Sequence, residues 1–249
     1  MVQAPQRTAV SGPTLVRLLA RLTAADVPAS SQSLSDQLSQ WLGWTDAIAL
    51  STALNGTPPA VAANARGARG AGTVEQECTS VRASLADAIA GDSMLSTRRR
   101  RGSAHAQTAS AETGATYADF RQCYLALQQS METRIGTLRG RLRSQLATRT
   151  PEMTRLAVVD AIMERSLGAR ERSLFGTVPG LLGGHFERLR KADQASEASA
   201  DGEAPAGSTA ARPGAWLDAF RKDMQSVLLA ELDIRFQPVE GLLVALRIS

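Results

Sequence analysis

Leu15, Leu18, Leu19 and Leu22 share one face of a helix that Ser11-Gly12-Pro13 opens with a cap and a proline near the first helical position. Asp26-Val27-Pro28 ends it. A second helix starts near Ser33, carries Leu34, Leu38, Trp41 and Leu42 at three- and four-residue spacing, and bends at Gly43 before Ile48 and Leu54. Val74, Cys78, Val81, Leu85 and Ile89 form a third stripe. The fourth is the longest: Tyr117, Phe120, Tyr124, Leu127, Met131, Ile135, Leu138, Leu142 and Leu146 advance by about 3.6 residues per step, the period of a straight helix rather than of a heptad coiled coil.

After it, Thr150-Pro151-Glu152 reads as a cap, a first-turn proline and a dipole-compatible acid, opening a fifth helix with Leu156, Val159, Met163 and Leu167 inward. Gly176-Thr177-Val178-Pro179-Gly180 predicts a break, and Leu182, Phe186 and Leu189 a shorter helix beyond it. Trp216, Phe220, Met224, Val227, Leu228 and Glu231 to Ile234 define a further helix with a stop expected near Pro238, then a short last helix over 239–247.

Between the stripes lie segments too poor in large apolar residues to offset their ordering entropy. The chain therefore divides into N-terminal helices over 1–54, a Gly/Ala/Pro linker over 55–72, a helix over 73–96, an Arg-rich linker over 97–113, the central long helix and its successors over 114–191, an acidic linker over 192–214 and C-terminal helices over 215–249. The expected fold class is all-α, an irregular helical bundle built around one long amphipathic helix with flexible linkers, the whole forming one bundle.

Composition agrees. Hydrophobic residues make up 43% of 249, enough for a core, and aromatics only 4%, which favours helix over a β-sandwich. No apolar run approaches the roughly 20 residues of a membrane-spanning helix. The first residues, Met1-Val2-Gln3-Ala4-Pro5-Gln6-Arg7, lack a basic region followed by an apolar core, so the expected location is the cytoplasm. Cys78 and Cys123 lie on or beside apolar stripes and read as reduced, packed thiols, with a bridge between them as the lesser reading.

Charge changes the picture in one respect. The formal charge is +4, yet lysine occurs only at 191 and 222, so arginine supplies nearly all of the 28 basic residues. Genomic GC bias gives that excess, and so does selection for phosphate binding. Arg98, Arg99, Arg100 and Arg101 form a compact tract, and Arg134, Arg139, Arg141, Arg143 and Arg149 crowd the end of the long helix. Arg98 to Arg101 with Arg139 and Arg143 are the candidate anion or nucleic-acid contacts. No helix-turn-helix or aromatic-interleaved sheet motif accompanies them, and arginines beside an apolar stripe also lie with stems on the core and heads in water.

Catalytic signals are sparse. His105 and His185 are the only histidines, and neither stands at zinc-ligand spacing, although Glu187 is near His185. Gly180-Leu181-Leu182-Gly183-Gly184 has the glycines of a phosphate loop without the strand or lysine. The reading is non-enzymatic, with no cofactor and no metal. Trp41 continues the Leu34, Leu38 stripe and belongs to the core, whereas Trp44 and Trp216 are the candidate protein contacts.

The stretches Ser11-Gly12-Pro13-Thr14-Leu15-Val16-Arg17-Leu18-Leu19 and Leu38-Ser39-Gln40-Trp41-Leu42-Gly43-Trp44-Thr45-Asp46-Ala47 resemble a family of uncharacterised proteobacterial proteins of about 250 residues, over most of the chain. That family has no established activity and hands on no site residues. The resemblance implies a cytoplasmic accessory to a membrane-associated complex. The expected function is thus a scaffold or adaptor with protein partners, open to self-association. The alternative is a nucleic-acid-binding accessory protein using the arginine tracts, and an enzyme using His185 ranks third.

Overall fold

A computed structural model describes residues 13–25, 32–56, 71–96, 115–200 and 214–248. Those residues form seven helices: α1 (Thr14–Thr23), α2 (Leu34–Trp41), α3 (Trp44–Asn55), α4 (Ala71–Gly91), α5 (Tyr117–Leu146), α6 (Pro151–Ala200) and α7 (Ala215–Ile248). Among the described residues there is no strand. The fold is an irregular all-α bundle.

The fourth stripe folds as its spacing predicts. Phe120, Tyr124, Met131, Ile135, Leu138, Leu142 and Leu146 are buried along α5, with Gln128 among them. Asp119 fixes its start by accepting hydrogen bonds from the Thr116 backbone N–H at 2.9 Å and hydroxyl at 2.8 Å, which hold the carboxyl below the usual range. A short turn then reverses the chain, Thr154 Oγ1 donating to the carbonyls of Ala147 and Thr150 at 3.1 Å each.

Cross-helix contacts give the topology. Gln128 meets Phe175 and Arg139 meets Asp160, so α6 runs antiparallel to α5. Phe120 meets Phe220 and Tyr124 meets Glu231, so α7 runs parallel to α5. Arg247 bonded to Glu75, and Arg82 to Asp233 at 2.7 Å, set α4 antiparallel to α7. The parallel pair α5 and α7 makes the broadest contact, and α4 and α6 each pack on both members of it. α1 lies against α6 and α7. Its Leu15 and Leu22 enter the common core, and Ala24 closes it in the left-handed region at φ 52°.

α6 and α7 depart from the sequence expectation. The predicted break at Gly176 to Gly180 does not occur, and α6 continues through Pro179 into residues 192–200 assigned to the acidic linker. Nor does Pro238 stop α7, so the predicted short last helix is the end of α7 itself. Four glycines and a proline between 176 and 184 cost a helix about 7 kcal/mol relative to alanine, and each interior proline orphans the carbonyl four residues before it. Neighbouring helices compensate. Gln128 Nε2 donates at 3.1 Å to the Phe175 carbonyl that Pro179 leaves free, and the Tyr117 hydroxyl bonds the Pro179 carbonyl itself. Across Pro238, Arg82 of α4 bonds Asp233 on one side and Glu240 on the other, its guanidinium 5.5 Å from the Phe236 ring centroid. Tertiary bracing overrides helix propensity at both sites.

Replacing Ala24 by Gly removes a left-handed cost of about 1 kcal/mol. The Ala24→Gly variant is expected to slow amide exchange across α1 by about fivefold, and unchanged or faster exchange there counts against strain at this cap.

Candidate functional site

Helical spacing forces three polar side chains into the core. Gln128 occupies a stripe position between Tyr124 and Met131, and Glu231 and Arg235 continue the Phe220, Met224, Val227 stripe of α7. Glu231 is fully buried. Its carboxylate accepts from Tyr124 Oη at 2.7 Å, from Gln128 Nε2 at 3.0 Å and from Arg235 Nε at 2.8 Å. Arg235 lies with its guanidinium 4.1 Å from the Phe175 ring centroid and reaches Glu171 Oε1 at 3.4 Å. Burial, reinforced by the adjacent Glu231 carboxylate, pushes the Tyr124 phenol far above its ordinary pKa, so it stays a hydrogen-bond donor. Filled from three donors, the carboxylate ties α5 to α7, and two of those donors extend the network to α6, Gln128 at the Phe175 carbonyl and Arg235 at Glu171.

A second cluster sits about one turn nearer the start of α5. Phe120, Phe186 and Phe220 contact edge to face or tilted at centroid distances of 5.0 to 5.9 Å. Trp216 stands 5.2 Å from Phe186, at 71°. The expectation of a protein contact at Trp216 therefore meets a half-buried side chain packed on this core. His185 is helical rather than in a glycine turn. Its Nε2 is 2.8 Å from Asp223 Oδ2 on α7, and Glu187 instead pairs with Arg190. Among the described residues, no three His, Cys, Asp or Glu side chains converge as a metal site would require. Burial pushes the Cys123 thiol up to about 12, Asp92 adding to the effect, so it is a protonated packing group; Cys78 is buried, and neither forms a disulfide.

The candidate anion contacts separate. Arg98, Arg99, Arg100 and Arg101 lie outside the described residues. Arg139 and Arg143 are committed inside the bundle: Arg139 grips Asp160 with Nε at 2.8 Å and Nη2 at 2.6 Å, and Arg143 bonds the same carboxylate at 3.1 Å and also Glu164. Arg141 pairs with Glu77 across to α4, and Arg172 with Glu132 at 3.4 Å.

Trp44 has the opposite fate. Neither α2 nor α3 buries a single residue. The inner face of α3, formed by Asp46, Ala49, Leu50 and Ala53, is partly covered. It follows α6 in antiparallel fashion, with Asp46 3.7 Å from Arg165 and the Gly56 carbonyl 3.2 Å from Arg155 Nη2. Trp41 is not core as expected: it is half-buried beneath Arg170, 4.5 Å from the guanidinium carbon to its ring centroid. Trp44 and Ile48, four residues apart on the outer face, are 83% and 51% exposed, with Leu34 at 69% beside them in the sequence of the limb. Periodicity places Leu34 and Ile48 on a buried stripe, and the structure corrects this, because an apolar stripe looks the same whether the chain or another molecule covers it. Residues 34–55 contain no lysine or arginine.

The architecture defines an all-helical protein whose polar chemistry ties helices together and whose most exposed tryptophan, with Leu34, Ile48 and Leu54, stands on one peripheral limb. Residues 1–248 match the family model described as Protein of unknown function (DUF3348), and the chain belongs to that family. No curated protein and no solved structure matches it.

Breaking the central tie by Glu231→Ala leaves the buried Arg235 with only the longer contact to Glu171 and is expected to lower unfolding free energy by about 3 kcal/mol in urea titrations. Glu231→Leu combined with Arg235→Met should recover at least half of that loss. If Glu231→Ala costs under about 1 kcal/mol, the tie does not hold the bundle.

Proposed function

We propose that this chain is a non-enzymatic helical scaffold or adaptor that docks a protein partner on the outer face of α3, through Trp44 and Ile48. The observation that carries the reading is that face: a tryptophan and an isoleucine at helical spacing, exposed, on a limb with no cationic residue in 22 positions of an otherwise arginine-rich chain. Exposed apolar surface of this kind marks contact sites, tryptophan is enriched where binding energy concentrates, and the lack of lysine and arginine disfavours phosphate backbones and anionic lipid here. The occupant that fits is an apolar face of another protein. That partner belongs, on this reading, to a membrane-associated complex met from the cytoplasmic side; no helix among the described residues is long and apolar enough to cross a membrane.

A benzophenone side chain at position 48, installed in the full chain in its host, is expected to capture one protein reproducibly, while the same group at the exposed Glu197 of α6 does not capture it. Trp44→Ala should weaken binding of that protein about thirtyfold, a loss of about 2 kcal/mol, while leaving the unfolding midpoint unchanged, because an exposed side chain contributes little to stability. Capture that survives Trp44→Ala, or capture of nucleic acid, overturns the assignment.

The rival reading rests on Arg98 to Arg101. Four phosphate contacts there would give a salt slope that falls by up to about 3.6 when all four become Gln. The adaptor reading predicts instead that duplex DNA binds the full chain only weakly at physiological salt and that the four-Gln variant titrates like the parent. Steep binding lost in that variant favours the rival.

A further inference from the structure

We infer that α6 is a two-state helix, held helical at residues 176–184 by Tyr117 and Gln128 of α5, and that release of the clamp loosens both its distal part and α1. The inference stands independently of the adaptor reading.

Gly176, Pro179, Gly180, Gly183 and Gly184 give this segment poor intrinsic helicity. At Gly176 and Gly180 a Cβ would meet nothing within 4 Å, so packing does not demand glycine at either position. Gly183 is different. A Cβ there would lie 2.8 Å from Tyr117 Cε1, so its bare backbone is what admits the tyrosine ring to the Pro179 carbonyl. Gln128 supplies the second hold, on the Phe175 carbonyl that proline leaves without its helical partner. Both holds come from α5, so the continuous helical state of α6 depends on tertiary contacts that a local fluctuation breaks together.

The segment just past the clamp fastens α1. Arg188 bonds the Leu22 carbonyl at the end of α1, and Asp223, which binds His185 at 2.8 Å, also stands 3.9 Å from Arg21. Opening at 176–184 displaces His185 and Arg188: it removes the Arg188 hold on the end of α1 and strips from Asp223, the α7 group nearest Arg21, its His185 partner. A ligand or partner with different affinity for the two states would bias this equilibrium.

Native-state amide hydrogen exchange on the full chain tests the device through the signs of three glycine substitutions. Gly176→Ala with Gly180→Ala raises helicity into open space and is expected to slow exchange over 177–190 about twenty-five-fold, about fivefold per site. Gly183→Ala raises helicity as well, but it displaces Tyr117 and is expected to speed exchange over the same amides. Tyr117→Phe should act like Gly183→Ala, and residues 15–22 of α1 should follow 185–190 in direction in all three variants. Exchange over 152–170 stays at the parent rate, which separates local opening from global destabilisation. Slowing by Gly183→Ala, an unchanged rate in the Gly176/Gly180 double variant, an α1 indifferent to all three, or acceleration spread equally over 152–170 overturns the proposal.

Discussion

The carboxylate of Glu231 is the constraint from which the rest of the bundle takes its register. An ionised group with no solvent exposure is tolerated only when its lone pairs are filled, and here the donors come from two helices at once, Tyr124 and Gln128 on α5 and Arg235 on α7 itself. Sliding α7 along α5 by one turn would cost Glu231 one of its two donors on α5, Tyr124 or Gln128, and leave that lone pair of a fully buried group facing apolar side chains. Apolar stripes alone admit such slips, since leucine packs nearly as well on one turn as on the next. A buried ion pair adds little net stability compared with an apolar replacement of equal shape. What this one adds is discrimination between alignments.

Gln128 links that register to the shape of α6. One amide group serves both the Glu231 carboxylate and the carbonyl that Pro179 orphans, so the alignment of α5 with α7 and the continuity of α6 share an atom. The arginines extend the same logic outward. Arg82 spans Pro238, Arg139 and Arg143 lock Asp160 and Glu164, Arg141 reaches Glu77, and Arg247 reaches Glu75. Exposed pairs of this kind contribute little individually. Arg139 with Asp160 is the exception, since both side chains are only 12% exposed and the grip is bidentate. The arginine excess of the described bundle thus works largely as cross-helix bracing.

Periodicity made most of the architecture legible. The Val74 to Ile89 and Tyr117 to Leu146 stripes appear in the structure with their inward residues as spaced, because burial of an apolar face is a local consequence of helical geometry. The helix ends expected at Pro179 and Pro238 fail for the opposite reason: the bracing groups, Gln128, Tyr117 and Arg82, lie tens of residues or more away in sequence. The buried network does leave a local trace. Gln128, Glu231 and Arg235 each sit at a stripe position where the helical period demands an apolar side chain, and Glu231 and Arg235 are four apart, the spacing of an intrahelical pair. Three polar residues in register with the core period are the mark such a network leaves in an amino-acid sequence.

Function was less legible because the same pattern has two meanings. The Leu34 to Leu42 stripe and Ile48 read as core, yet the limb they build leaves Leu34, Trp44 and Ile48 to solvent. Sequence periodicity reports that a face must be covered and is silent on what covers it. The limb's charge narrows the choice. A protein that needed α3 merely to cap α6 could have placed an arginine on the outer face, as α5 does at the exposed Arg121, since cationic stems cover apolar surface well. Residues 34–55 hold none, while Arg165 and Arg170 reach Asp46 and Trp41 from α6, and Arg155 reaches the Gly56 carbonyl just beyond. The limb is thus held to the bundle from its inner side by charges it does not own, and its outer face stays free of the cations that would have hydrated it. That asymmetry is what a docking helix for an apolar protein surface requires, and it is the physical ground on which the adaptor reading stands ahead of nucleic-acid binding.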